Sequence, residues 1–431
     1  MSAIDPSRPA TSASRSLGAP GDGASQLCLP LRTITPVFGG GYKPAQLDDF
    51  DPVRVPAIRG QLRFFWRALY GHIYTTPAAL AKNERELWGG ASSRHTARSQ
   101  VAIWVLNAES IGAAQTKDAS PPNSTSGYVL WPARLGRTND EGWAPRRKPG
   151  MRFCLHVRVA AAARAREHEV LAALRAWLLF GGIGARVRRG CGSLELDRVA
   201  LTADSGQKIA YRDWLPASAE DRAIDAVLGV PCLTGEPAAP RTMPSLRGAR
   251  LFASTPRRSA TEAWEHAIAL LKGFRRRLRP PKPSGGKVSS HILARMLAPA
   301  ANLGLPIVNV GGNADTRLIW RDRSNNEHDR LASPMFIKPL ALRDGTYAPV
   351  VLWLHRCDLD GDILWKNGDE GRSRETEATQ YTAQELLARF EADFPRLDAD
   401  ARKQAGRDSQ SRKRKPAPRW PRGKNKRRKR R

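Results

Sequence analysis

The sequence predicts an α+β protein of two tandem ferredoxin-like domains, each ordered βαββαβ, between disordered termini. Three observations carry that expectation. The chain has 431 residues, 41% of them hydrophobic, which is enough for two separate cores. In the first half the apolar periodicities run strand, helix, strand, strand, helix, strand. A stretch rich in Pro and Ala then separates that half from a second set of helices and a hairpin. The expected boundaries are a disordered extension over 1–26, a first domain over 27–202, a connection over 203–245, a second domain over 246–398 and a basic disordered tail over 399–431.

The segment LCLPLRTIT (27–35) alternates partly and is rich in strand formers, and the glycine-rich TPVFGGGYKP (35–44) ends it. A helix should follow, because Leu62, Phe65, Trp66, Leu69 and Ile73 recur at three- and four-residue steps. QVAIWVLN (100–107) and RFCLHVRV (152–159) read as strands, with a third short strand near Tyr128 to Trp131 between them. EHEVLAALRAWLLF (167–180) reads as a helix stopped by Gly181 and Gly182, and SLELDRVAL closes the unit as a strand. Further on, Ser259 with Glu262 and Thr382 with Glu385 form capping boxes, the first opening a helix to about Leu278 and the second a helix ending near Phe394. Another helix is expected over Ser289 to Leu297. The pair Asp344–Gly345 joins PMFIKPLAL to YAPVVLWLH as a hairpin. The strand order of this second half is not derivable from these pieces.

The formal net charge of +30 points to a polyanionic partner such as nucleic acid. From Ala401 to Arg431 there are 16 Lys and Arg against one acid, Asp408, so the tail carries +15 and the body the other +15. The body must therefore present basic surface of its own. The tail itself, a run of like charge with Pro and Gly, can hold RNA by counterion release, with Trp420 available to stack. Cys28, Cys154, Cys191, Cys232 and Cys357 stand singly, without a CxxC pair, which argues against a metal centre or a disulfide framework. No apolar run has the length of a signal peptide or membrane span, so a cytoplasmic protein with no membrane contact is expected.

Two constellations suit phosphate chemistry. The first is GGIGARVRRGCGSL (181–194), in which Gly182, Gly184 and Gly190 would let backbone N–H groups approach a phosphate while Arg186, Arg188 and Arg189 grip its oxygens. A helix precedes this loop and a strand follows it, the reverse of a dinucleotide-binding fingerprint. SGGKVSS fails as a phosphate-cradling loop, since Pro281 stands where the first glycine belongs. The second is the stripe Arg59, Arg63 and Arg67, whose like charges at four-residue steps repel and call for an anionic ligand or for facing acids such as Asp48, Asp49 and Asp51.

TPVFGGGYKP followed by IRGQLRFFWRAL resembles the amino-terminal signature of the RAMP superfamily of CRISPR-associated proteins, and within it that of the first subunits of type III-B (Cmr) modules. GGIGARVRRGCGSL is similar to the superfamily's glycine-rich loop, and LGLPI (303–307) with RLASPMFIKPL (330–340) resembles the family's second half. The resemblance touches most of the span from about Leu27 to His355 and stops short of both ends. It implies tandem RRM-like domains, no cofactor, no small-molecule substrate and a non-catalytic subunit of an RNA-guided effector complex in antiviral defence. Its partners would be CRISPR guide RNA, chiefly its 3′ part, target RNA and other RAMP subunits. The expected RNA-binding residues are Gly39, Gly40, Gly41, Lys43, Arg59, Arg63, Arg67, Gly182, Gly184, Arg186, Arg188, Arg189 and Gly190.

The rival expectation is an endoribonuclease of the same superfamily that matures guide RNA or cuts target. It would draw on His72 as a general base or on Asp48, Asp49 and Asp51 as ligands of a divalent ion. His328–Asp329 forms a lone HD pair without the further ligands a metal phosphohydrolase needs. A third reading is a scaffold whose apolar helix faces meet other subunits while RNA touches only the tail.

Overall fold

The computed structural model describes residues 23–41, 46–48, 51–91, 96–106, 117–123, 125–135, 142–197, 214–239, 243–278, 297–304, 307–308, 317–358, 360–366, 373–375 and 381–414. The fold is α+β, as expected, and is built from several small antiparallel sheets.

In the first half the elements are β1 (Ser25–Thr33), α1 (Val55–Tyr70), α2 (Pro77–Trp88), β2 (Val101–Leu106), β3 (Arg152–Val159), α3 (Glu167–Phe180) and β4 (Leu194–Leu196). The strands pair antiparallel in the order β2-β3-β1-β4. Strand alternation sorts their side chains: Leu29, Leu31, Phe153, Leu155 and Val157 are buried on the face that packs against α1 and α3. From α1 the buried stripe includes Leu62, Phe65, Trp66 and Leu69, as its periodicity predicts, and Ile58 besides. Each such side chain contributes about 1.5–3 kcal/mol by leaving water. Ile73 departs from the expected stripe: α1 stops at Tyr70, a short 3-10 turn follows, and Ile73 is 61% exposed. Helices α1 and α3 are also pinned by a hydrogen bond of 2.6 Å from Trp66 Nε1 to Glu169 Oε2.

The expected strand near Tyr128 to Trp131 is instead a short helix, Ser126–Leu130, running into a 3-10 turn over Trp131–Ala133. The side chain of Asn123 accepts from the backbone N–H of Ser126 at 2.8 Å and so starts the turn.

The second half continues with α4 (Asp221–Leu228), β5 (Ser245–Ala253), α5 (Ala260–Arg277), β6 (Arg317–Asp322), β7 (Met335–Ala341), β8 (Tyr347–His355), β9 (Gly361–Lys366) and α6 (Ala383–Arg414). The main sheet has the order β5-β8-β7, antiparallel throughout. The hairpin between β7 and β8 turns where expected, with Asp344 Oδ1 accepting from Thr346 N at 2.8 Å and Gly345 at φ 93°. Both capping boxes start their helices: Glu262 N donates to Ser259 Oγ at 3.4 Å, and Thr382 and Glu385 exchange bonds of 2.8 and 3.0 Å. A third sheet, which the sequence reading does not anticipate, pairs β6 with β9 over a small core of Leu318, Ile363 and Trp365.

Helix α6 runs past the expected end near Phe394. It passes Pro395 and continues to Arg414. Proline deletes one helical hydrogen bond, but Phe390, Leu397 and Ala401 are buried against α5 and its surroundings, and His266 Nε2 meets Asp398 Oδ1 at 2.7 Å. The helix expected over 289–297 and the tail from 415 lie outside the described residues. Among the described residues no helix is long and apolar enough to cross a membrane.

Candidate nucleic-acid interface

Two glycine-rich loops meet between the halves. The one after β1 carries Gly39 and Gly40 at φ 63° and 106°, and the one after α3 carries Gly184, Gly190 and Gly192 at φ 79°, 76° and 62°. They pack backbone on backbone, with Ala185 N donating to Phe38 O at 2.7 Å and Gly192 N to Pro36 O at 2.9 Å. A side chain would not fit there: a Cβ on Gly184 would lie 2.8 Å from Phe38 O, and one on Gly182 2.4 Å from Gly192 O.

The second loop also wedges against the second half. Arg188 donates to Ser333 O and Arg189 to Met335 O, each at 2.8 Å, while Trp264 Nε1 donates to Arg189 O at 2.8 Å. Lys338, fully buried on β7, donates to Gly181 O.

Three of the expected roles therefore change. Gly182 and Gly190 are buried and serve close approach, Gly182 N already donating to Gln61 Oε1 at 3.3 Å. The Arg189 guanidinium gives one N–H to Met335 O, as Arg188 does to Ser333 O. The stripe on α1 is the larger correction. Glu84 from α2, only 6% exposed, accepts from Arg63 Nε and Arg67 Nη1 at 2.5 Å each, and Arg59 donates to Ser99 Oγ at 2.9 Å and Val101 O at 3.0 Å. Burial, and next to it the charge of Arg63, lower the pKa of Arg59. These contacts tie α1 to α2 and β2 and give the stripe internal partners. Glu84→Gln is accordingly expected to destabilise the protein by about 1–3 kcal/mol, because it strands two cations at a half-buried site. A lowered thermal midpoint with an unchanged salt dependence of RNA binding is the expected readout.

What the loops leave open is a cleft of about 710 Å³ between α1, the arginine loop and the segment before β7. Its cations are Arg186, Arg188 and Arg275, with part of Arg189. It carries aromatic surface as well: Phe64, Phe336 and Trp131, the last 44% exposed. A smaller recess of about 190 Å³ adjoins it through Gln61 and Gly184, lined by Gly40, Gly41 and Arg54. Among the described residues that line either, none is a carboxylate or a histidine.

No carboxylate lining the cleft plays the part that Glu84 plays for the stripe. Burial lowers the Arg188 guanidinium to about 10, and the neighbouring charge of Arg356 acts in the same direction. Burial and then Arg275 and Arg186 push Arg189 well below its ordinary range, and Arg186 is lowered by burial and, more weakly, by Arg275. Cations held in a buried setting without a facing carboxylate, with Arg275 adding its charge at Arg186 and Arg189, form a site that an anion stabilises. Arg188 is held in place, its guanidinium lying 5.3 and 5.0 Å over the rings of Phe64 and Phe336. The Nε of Arg186 is buried with no hydrogen-bond partner among the described residues.

Of the expected site residues, Gly40, Gly41, Gly184, Arg186 and Arg188 line the opening, Gly39 is buried beneath it, and Lys43 lies outside the described residues. Arg54, Arg275 and Trp131 belong to the site and were not singled out from the sequence. The basic run Arg275–Arg277 in the last turn of α5 is the one local signal that could have marked Arg275. None of the described residues of the rival nuclease reading is among those lining the cleft or the recess: Asp48 accepts from Asp51 N at 2.9 Å, His328 pairs with Asp322 at 2.8 Å, and His72 sits in the turn after α1, while Asp49 is outside the described residues.

Residues 30–195 match the model of the RAMP superfamily. The CRISPR system Cmr subunit Cmr1-1 of Pyrococcus furiosus is 30% identical over 157 residues, which are 35% of this chain and 43% of that protein, so the match spans less than half of the relative. Among solved structures, apo Cmr1 from Pyrococcus furiosus is 16% identical with a TM-score of 0.45, covering 78% of this chain and 90% of that one. A chain of a type III-B Cmr-beta assembly bound to cognate target RNA and AMPPnP is 11% identical with a TM-score of 0.46, covering 86% and 99%. Residues 30–195 are thus similar to the RAMP superfamily, and over 157 residues the chain is similar to a subunit of a CRISPR Cmr system.

Proposed function

We propose that the protein is a non-catalytic RNA-binding subunit of a type III-B CRISPR ribonucleoprotein effector complex. The cleft between its halves holds the backbone of guide RNA, of the guide–target duplex, or of both. The observation that carries this reading is the cluster of Arg186, Arg188 and Arg275, set among aromatic rings and matched by no carboxylate along the cleft. Guanidinium forks grip phosphates in pairs, and Trp131 offers a base a stacking surface, so binding follows the ribose-phosphate chain while base pairing supplies sequence selection. The similarity to a subunit of a CRISPR Cmr system supports assembly with other subunits, and the cationic cleft supports guide and target RNA as the further partners. On this reading each half is a ferredoxin-like unit. The order β2-β3-β1-β4 supports it for the first, and the strand, helix, strand, strand, helix sequence of β5, α5, β7, β8 and α6 supports it for the second. A non-catalytic role is favoured because the lining described above offers cations and rings but no side chain suited to moving a proton at neutral pH.

The test is RNA affinity measured across a range of salt for the parent chain and for Arg186→Gln/Arg188→Gln/Arg275→Gln. Each lost phosphate contact is expected to lower the slope of log affinity against log salt by about 0.7 for single-stranded RNA. To remove the contribution of the tail, both proteins are also compared when ended at Arg414, beyond the buried Ala401. An unchanged slope in the shortened pair contradicts the proposal.

A further inference from the structure

The face of the first sheet turned away from α1 and α3 holds a group of side chains that RNA binding does not use. Cys28 on β1 is directly opposite His156 on β3, and Cys154 lies two residues from His156 on the same strand, opposite Pro30. Because alternate side chains share a face, all three point to the same side, and Trp104 from β2, opposite His156 in register, joins them. The donor atoms of Cys28, Cys154 and His156 lie within 4.8 Å of one another, and Cys28 Sγ is 3.7 Å from His156 Nε2. A tetrahedral zinc with Zn–S of about 2.3 Å and Zn–N of about 2.0–2.1 Å separates sulfur from nitrogen by about 3.6 Å. The first pair thus already stands at ligand spacing, and the second sulfur needs a movement of at most about an ångström.

The chemistry of the set is that of a soft or borderline divalent cation, since two thiolates and a neutral imidazole balance its charge. Trp104 stacks on the imidazole with centroids 5.1 Å apart and planes 13° apart, which fixes the ring whose Nε2 faces Cys28. We infer that Cys28, Cys154 and His156 form a zinc site on the outer face of the first sheet, with its fourth position open to water or to a ligand from another chain. The sequence conceals it, because the ligands come from two strands far apart in the chain and lack the paired-cysteine spacing by which such sites are recognised.

The experiment uses the full chain, reduced and stripped of metal, titrated with Co²⁺ and then with Zn²⁺. About one equivalent of Co²⁺ is expected to produce thiolate-to-metal charge-transfer absorption and the strong visible bands of a tetrahedral centre, and Zn²⁺ is expected to displace it. Cys28→Ser and Cys154→Ser should each weaken the charge-transfer band, their combination and His156→Ala should abolish tetrahedral binding, and Cys357→Ser should leave it intact. Circular dichroism and a thermal melt of each variant separate loss of ligands from loss of fold. If Cys28→Ser does not fold, Cys154→Ser decides. Absence of a charge-transfer band in the parent, or its survival in a folded protein lacking both cysteines, overturns the assignment.

Discussion

Replacing Gly192 with alanine is expected to cost more than about 3 kcal/mol, enough to unfold the join between the halves at moderate temperature. The residue has φ 62°, where an L side chain is strained, and a Cβ there would stand 1.9 Å from Ile183 O and 3.0 Å from Ile183 C. Both atoms are backbone, so no side chain can swing aside. The backbone is also tied on either side, by Gly192 N to Pro36 O at 2.9 Å and by Ile183 N to Gly192 O at 3.0 Å. Relief of the clash must therefore break the contact that sets the two loops, and with it the position of Arg186 and Arg188. Urea or thermal unfolding measures the loss; a variant within about 0.5 kcal/mol of the parent would contradict the packing described.

The second large effect belongs to Lys338. Burial drives its ammonium from the ordinary 10.5 down to about 7. Between those two values the unfolded chain holds a proton that the folded chain has released, so stability rises with pH across the window and the full penalty applies below about pH 7. At about 1.4 kcal/mol per pH unit the difference between 10.5 and 7 amounts to about 5 kcal/mol. Lys338→Met removes this penalty together with the hydrogen bond to Gly181 O, itself worth about 1 kcal/mol. The variant should consequently be the more stable protein at pH 6, lose that advantage as pH rises, and be slightly the less stable near pH 10. Unfolding free energies at four pH values check the crossing. Parallel curves for the two proteins would mean that Lys338 is not held neutral in the fold.

Features written within one turn or one strand pair were legible in the sequence. The stripe of α1, the capping boxes at Ser259 and Thr382 and the hairpin at Asp344–Gly345 each depend on residues within a few positions of one another. Features decided by tertiary neighbours were not. Arg63 and Arg67 show their spacing in the sequence but not Glu84, which reaches them from the following helix. The arginine loop shows its composition, but not that Arg188 and Arg189 each turn an N–H inward to Ser333 O and Met335 O, or that Trp264 holds the loop from the second half. Pro395 reads as a helix end until the burial of Leu397 and Ala401 against the second core outweighs it. Cys28 and His156 look solitary because strand pairing alone makes them neighbours.

On the proposed function, RNA lies in the cleft beside Arg186, Arg188 and Trp131. Photocrosslinking of RNA carrying 4-thiouridine to the purified protein, with the attached residues located by mass spectrometry, tests it most directly. Crosslinks concentrated on Trp131, Phe64 and the peptide holding Arg186–Arg188 are the predicted result. Crosslinks confined to the segment after Arg414, or to the α1 stripe of Arg59, Arg63 and Arg67, would contradict it.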